Sequence, residues 1–458
     1  MAASAKGWRL WIWPVAVLLS GCTDEGDEWT DPGPSNPALC GNQAIDGDEE
    51  CDEGAANSDV VADACRTDCQ LARCGDGTRD SGEQCDHGSS NSDTTAGACR
   101  EDCSGYSDGG RPPIDSVLPP YFGFGVSSFG AVLEWPGQVK ESHGIQWNYL
   151  YWYQLPGGSQ DFLEAKLQRA DELGAIPVVT HYQLLDRGSE AGFTGDEEWD
   201  IVIQAVQDPG VMGGYFDNVQ WIMESSNAFG KPVIFQTEPD STTWLRQFHT
   251  DETNDASQGY VAVAASGHPD LADLPDTIVG YAQALVRLRD TYAPDNVYLG
   301  LCMFDNENGY APEQSVQFIE SLNSQWDVLF THHVIKYEHK DDGWWDAYSE
   351  TDHQRFLTWL DTITSATGLR YIHWQAVIGA MDYGLMPDFP TEERISSLVG
   401  AGSAACLMDL YSLDGPPHSQ PWHGFTSSPP TDHPAYNSLD KLAERLQGYY
   451  QAPIPLGG

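Results

Sequence analysis

The chain has 458 residues, enough for two or three domains, and a hydrophobic fraction of 40% supplies a large core. Its formal net charge of −47 excludes nucleic acid as a partner, because that binding needs a basic patch. The complement of 16 Trp and 20 Tyr is generous, and such residues line sugar or peptide grooves as well as cores.

At the start, Lys6 and Arg9 precede an apolar stretch from Leu10 to Leu19, followed by Leu19-Ser20-Gly21-Cys22. Charged, apolar and small parts in that order form a secretory signal, too short to span a bilayer as a mature helix. A leucine, two small residues and a cysteine resemble the lipobox of bacterial lipoproteins. The resemblance implies that residues 1–22 are a signal peptide and that Cys22 carries the lipid. The chain is then exported and anchored to the outer membrane or cell surface, several acyl chains on one residue giving stable attachment.

Residues 23–39 read as an acidic linker, and residues 23–110 hold 22 acidic against 4 basic residues. Two sets of four cysteines follow: Cys40, Cys51, Cys65 and Cys69, then Cys74, Cys85, Cys99 and Cys103. Each member of the second set lies 34 residues after its counterpart, which marks a duplication with units at 40–73 and 74–103. Few large apolar residues lie here, so burial cannot hold the units together. An even cysteine count in an exported segment predicts disulfides, and four cysteines per unit leave three pairings open. Zinc is the rival for the Cys65-x3-Cys69 spacing, and an oxidising compartment disfavours it. Cys74-Gly75-Asp76-Gly77, Gly82-Glu83-Gln84-Cys85-Asp86 and the closing cysteine pair resemble the cysteine-rich disulfide repeat of myxobacterial surface proteins. That resemblance implies a spacer or adhesion role without chemistry. Residues 104–120, rich in Gly, Pro, Ser and Asp, read as a second linker.

From residue 121 to 458, short apolar runs alternate with amphipathic patterns. Strands are expected at Tyr121–Ser127, Trp147–Gln154, Ile176–Tyr182, Pro232–Thr237, Val297–Phe304, Val328–Val334, Tyr371–Val377 and Ala405–Tyr411. Helices are expected at Phe162–Leu173, Thr277–Tyr292, Pro312–Leu322, Asp352–Ala366, Thr391–Gly400 and Tyr436–Tyr450. Eight strands, each followed by a helix, predict an α/β (β/α)8 TIM barrel behind the small disulfide-rich module. A doubly wound sheet is disfavoured, because Gly123-Phe124-Gly125 opens no phosphate-binding helix. Cys302 and Cys406 fall on strands five and eight, which are not neighbours in a barrel, so two buried thiols are expected.

Barrel active sites sit at the C-terminal ends of the strands. Those ends carry acids, aromatics, histidines and amides, a combination suited to glycosidic bond cleavage by two carboxyls. Glu238 and Asp240 follow strand four, with Glu238 expected as general acid or nucleophile. Asp342, in a loop with Trp345, is the favoured second acid, ahead of Asp305 and Asp409. His181, Tyr182, Trp152, His332, Trp374 and Gln375 are expected to hold the sugar, with Asp305, Trp345 and Asp409. Adjacent strand histidines face opposite ways, so no metal or cofactor is expected. Lys231–Asp240, Leu274–Asp290 and Trp374-Gln375 carry a resemblance to glycosidase-like barrels of secreted bacterial proteins. Thr237 before the glutamate and Gln375 on strand seven depart from the commoner clan A pattern of Asn-Glu and a second glutamate. The expected function is a surface glycoside hydrolase acting, as a monomer, on extracellular or envelope polysaccharide. The alternative is a polysaccharide-binding adhesin on the same barrel.

Overall fold

The computed structural model describes residues 40–457, apart from 84, 96–97, 104–106, 108–110, 129–134, 251–252, 305–310, 332–349, 378–391 and 410–444. Cys22, Asp305, His332, Asp342 and Trp345 therefore lie outside the described residues. The chain forms two compact units, Met1–Ala72 and Arg73–Gly458. Among the described residues, no helix is long and apolar enough to cross a membrane.

Both cysteine repeats close with the same nested pairing. Cys40–Cys69 encloses Cys51–Cys65 in the first, and Cys74–Cys103 encloses Cys85–Cys99 in the second. All eight sulfurs are thus bound to one another, which rules out the zinc alternative for these cysteines. The aspartate after the second cysteine of each unit explains why that residue is repeated. Asp52 Oδ2 accepts from the backbone N–H groups of Gly41, Asn42 and Gln43, and Asp86 Oδ2 from those of Gly75, Asp76 and Gly77. Asn57 and Asn91 then donate to Oδ1 of the same aspartates and reach the outer disulfide. Covalent closure and one carboxylate in a ring of backbone donors replace a hydrophobic core.

The long region is a closed barrel of eight parallel strands in chain order, with β1 paired to β8. The strands are β1 Gly123–Ser127, β2 Tyr149–Gln154, β3 Ile176–His181, β4 Val233–Thr237, β5 Val297–Cys302, β6 Val328–Thr331, β7 Tyr371–Val377 and β8 Ser403–Asp409. They read as near-continuous apolar runs because a parallel sheet is buried on both faces. The helices are α1 Trp135–His143, α2 Gln160–Leu173, α3 Leu184–Glu190, α4 Glu198–Gln207, α5 Pro209–Phe229, α6 Ser241–His249, α7 Ile278–Tyr292, α8 Pro312–Ser321, α9 Glu350–Thr367 and α10 Glu392–Gly400. Local signals set their ends. Ser159 caps α2 through the Phe162 N–H, and Asp208 caps α5 ahead of Pro209 at its first position. Three helices, α3 to α5, fill the β3–β4 connection, where the sequence patterns marked none. Of the expected Tyr436–Tyr450 helix, 445–449 is helical and 436–444 lies outside the described residues.

Side chains alternate between two cores. Tyr149, Tyr151, Val178, Ile234, Tyr298 and Phe330 fill the lumen, while Leu150, Trp152, Val179, Val233 and Phe235 pack under the helices. Gly300 stands where any Cβ would run into the ring of Phe330, so glycine there makes room for the lumen aromatics. Cys302 and Cys406 are buried free thiols.

Residues 111–118, within the stretch read as a linker, close the N-terminal end of the barrel. Leu118 is buried in the lumen core with Ile114 and Val117 against it. Arg111, itself buried, meets Asp327 at 3.1 Å and Asp290 at 3.7 Å, and Tyr298 donates to the Pro112 carbonyl. Arg289 completes the cluster with 2.6 Å to Asp290 and 2.8 Å to Asp327.

Candidate active site

The described part of the C-terminal mouth is aromatic. Tyr153 follows Tyr149 and Tyr151 on the lumen face of β2. Its ring meets Tyr182 edge-on at 5.9 Å and Trp374 at 5.9 Å, and Trp374 stacks on Phe304 at 6.4 Å. Strand alternation puts Trp374 and Gln375 on opposite faces, but β7 is irregular between His373 and Ala376 and Gln375 has φ +53°. The kink turns the Gln375 amide inward, where Nε2 donates to the Tyr153 hydroxyl. Non-glycine residues in this region of backbone space cost of order 1–3 kcal/mol and concentrate at functional sites.

Asp240 begins α6 and is half-buried at this mouth, hydrogen-bonded to the Tyr182 side chain. Burial first, then the Asp240 charge, pushes the Tyr182 hydroxyl far above its ordinary range, so it stays a neutral donor.

Glu238 is placed differently from the expectation. Gln236 points into the lumen, where it donates to the Cys302 thiol, so alternation would send Glu238 there too. Its backbone instead has φ +24°, and its carboxyl is 1% exposed. Oε1 accepts from the backbone N–H groups of Gln183 at 2.8 Å and Leu184 at 3.3 Å, and Oε2 accepts from the Ser241 hydroxyl at 3.3 Å. His181 Nδ1 lies 3.5 Å from Oε1. The His181 ring packs on Tyr215 of α5 at 4.8 Å and on Phe235 at 5.2 Å, which places it on the helix side of the sheet. Burial outweighs the backbone donors and raises the Glu238 carboxyl to about 8, and burial lowers His181 to about 3.

The structure therefore brings Tyr182, Asp240, Trp374 and Gln375 together at the mouth. Glu238 and His181 sit behind them, and Trp152 lies on the helix side, 1% exposed. The backbone of Asp409 ends β8 in register with Val377. Sequence reasoning counted Tyr153 among the strand-two aromatics expected to hold the sugar but singled out Trp152, although the Tyr149-Tyr151-Tyr153 alternation was a signal for Tyr153, and it gave Phe304 no role. It also missed Gln183 and Asn218, which join His181 through hydrogen bonds that no sequence spacing reveals.

No family model matches the chain, and no curated protein matches it. Solved structures that it resembles include the catalytic domain of the Bacillus sp. JAMB-750 GH26 endo-beta-1,4-mannanase, at 12% identity over 65% of this chain and 78% of that one, with a TM-score of 0.38. A GH113 beta-1,4-mannanase gives 11% identity, 73% and 99% coverage, and a TM-score of 0.37. D-psicose 3-epimerase from Clostridium cellulolyticum H10 gives 8%, 73%, 100% and 0.37. Hydrolases and an epimerase stand side by side here, so the likeness is one of barrel shape.

Proposed function

We propose that the barrel is a glycoside hydrolase whose mouth binds a polysaccharide, with Asp240 as the carboxylate that faces it. The observation that carries this reading is the half-buried Asp240 beside Tyr182, Tyr153 and Trp374. Aromatic faces stack on the apolar faces of sugar rings, and glycosidic cleavage needs carboxyls next to them. The second acid comes from a later rim loop, with Asp342 ahead of Asp305 and Asp409. Glu238 supports the turn instead of touching the sugar. A second reading, binding without turnover, gains support from the sealed carboxyl of Glu238.

The four disulfides support an oxidising, extracellular setting. The reading includes export by the N-terminal signal and anchoring by lipid on Cys22, with the cysteine repeats as a spacer. A screen of plant, fungal and bacterial polysaccharides against the wild type and Asp240→Asn tests the function. An enzyme loses turnover in Asp240→Asn while it keeps ligand; a binder shows retention without turnover in both. Neither retention nor turnover on any glycan would overturn both readings.

A further inference from the structure

The hydrogen bonds around His181 assign its protons. Arg187 Nε can only donate, and it donates to Gln183 Oε1 at 2.7 Å, which fixes that atom as the amide oxygen. The Gln183 nitrogen then donates to the Gln154 carbonyl at 3.3 Å and to Asn218 at 2.7 Å. The Asn218 atom that receives it must be oxygen, and the same oxygen faces His181 Nε2 at 3.0 Å. Nε2 therefore carries a proton. The other ring nitrogen, Nδ1, is buried 3.5 Å from Glu238 Oε1 with no hydrogen-bond partner among the described residues, and two lone pairs facing each other there would repel, which asks for one proton between them. On the imidazole it makes an ion pair, and on the carboxyl it makes a neutral one. Burying two charges costs several kcal/mol each before they attract, and both side chains are at most 1% exposed.

The surrounding elements add little charge to reverse that choice. Tyr215 of α5 and Tyr281 of α7 are buried and neutral, bonded to each other at 2.7 Å, and Cys302 of β5 is a protonated thiol. Arg187 of α3 brings a cation, with its Nε committed to Gln183. Asp240 adds a negative charge that opposes ionisation of Glu238.

We propose that His181 and Glu238 form a neutral proton-sharing pair that positions Asp240, holding the β4–α6 turn in place for as long as the carboxyl keeps its proton. This rests on the reading of Asp240 as the mouth carboxylate. The turn is short: Glu238 bonds Ser241, Asp240 lies between them in sequence, and all three depend on the left-handed backbone at Glu238. Ionisation sets a buried anion against the Nδ1 lone pair and against Asp240, which loosens the turn. Because the folded carboxyl titrates near 8 against an ordinary 4.5, the stability it contributes is full below about 4.5 and is lost as pH rises through about 8.

The test uses the full chain labelled with [15N]histidine, the His181 signals being assigned by their loss in His181→Gln. At pH 6.5 we expect Nε2 in the protonated range and Nδ1 in the unprotonated range; both protonated overturns the neutral pair. Glu238→Gln keeps a donor toward Nδ1 but cannot ionise, so its melting temperature should gain on the wild type from pH 6 to 9, and a constant difference overturns the titration. In gels containing glucomannan, wild-type retardation should fall about tenfold between pH 7 and 9 while that of Glu238→Gln stays level. Parallel profiles for the two proteins overturn the positioning role. Absence of retardation at every pH, on glucomannan and on the screened polymers alike, ends the glycan reading and with it the positioning role; the nitrogen spectrum still decides the pair.

Discussion

At the floor of the barrel, Arg111 and Arg289 meet Asp290 and Asp327 in a sealed cluster beneath the packed segment 111–118. At the rim, Glu238 and Gln375 hold left-handed backbone and the polar groups are neutral or half-buried. Both ends are polar, but the floor matches two cations to two anions, whereas the described rim sets the half-buried Asp240 among aromatic rings. The floor is built to stay closed, and the described rim carries backbone strain of the kind that concentrates at functional sites.

The strongest way to break this contrast is at Asp327. Its two oxygens serve Arg111, Arg289 and the Leu299 N–H at once. Asp327→Ala leaves two buried guanidinium groups sharing Asp290 alone, with the Leu299 N–H unsatisfied, and should destabilise the barrel by about 3–5 kcal/mol in denaturant unfolding. A loss below about 1 kcal/mol would mean that the floor is not the stabilising end.

Acid should act next most strongly, through histidines at both levels of the barrel wall. His181 and His373 are buried neutral and titrate near 3 instead of 6.5. The unfolded chain binds more protons below 6.5, so the stability they contribute is full above that pH and drains away as pH falls toward 3, a loss of order a few kcal/mol. Melting temperature against pH, compared with His373→Gln, checks the share of His373, whose Nε2 faces Ser403 at 2.8 Å.

Gln375→Gly removes the backbone strain but also the tether on Tyr153. It should change stability by no more than about 1 kcal/mol while weakening glycan retention. Unchanged retention would show that the kink serves packing alone. The smallest stability effect, within about 0.5 kcal/mol, is expected for Asp240→Asn, since Asp240 is half-buried and a neutral amide can still accept from Tyr182. Turnover is where that substitution should be felt, and a large stability loss would move Asp240 to the structural side of the contrast.

Much of the barrel was legible because parallel strands are buried on both faces and leave apolar runs such as Val297–Cys302 and Tyr371–Val377. The duplicated cysteines were legible as well, but spacing could not choose their pairing. The β3–β4 connection was opaque because α5 opens on Gly210, Gly213 and Gly214, poor helix formers that hide the helical spacing of Met212, Tyr215, Phe216, Val219, Ile222 and Met223. Reading the last residues of every strand as mouth residues misplaced Trp152 and His181. Both have the parity of the helix-side face, and the lumen parity of β2 follows from Tyr149 and Tyr151. Glu238 and Gln375 were harder still, since a single left-handed φ reverses what alternation predicts.

The packed segment 111–118 has one more consequence, for topography. With Leu118 sealed in the lumen core and Ile114 and Val117 packed against it, the barrel is a blind cup: a long polymer can lie across the C-terminal ends of the strands but cannot thread from one end of the barrel to the other.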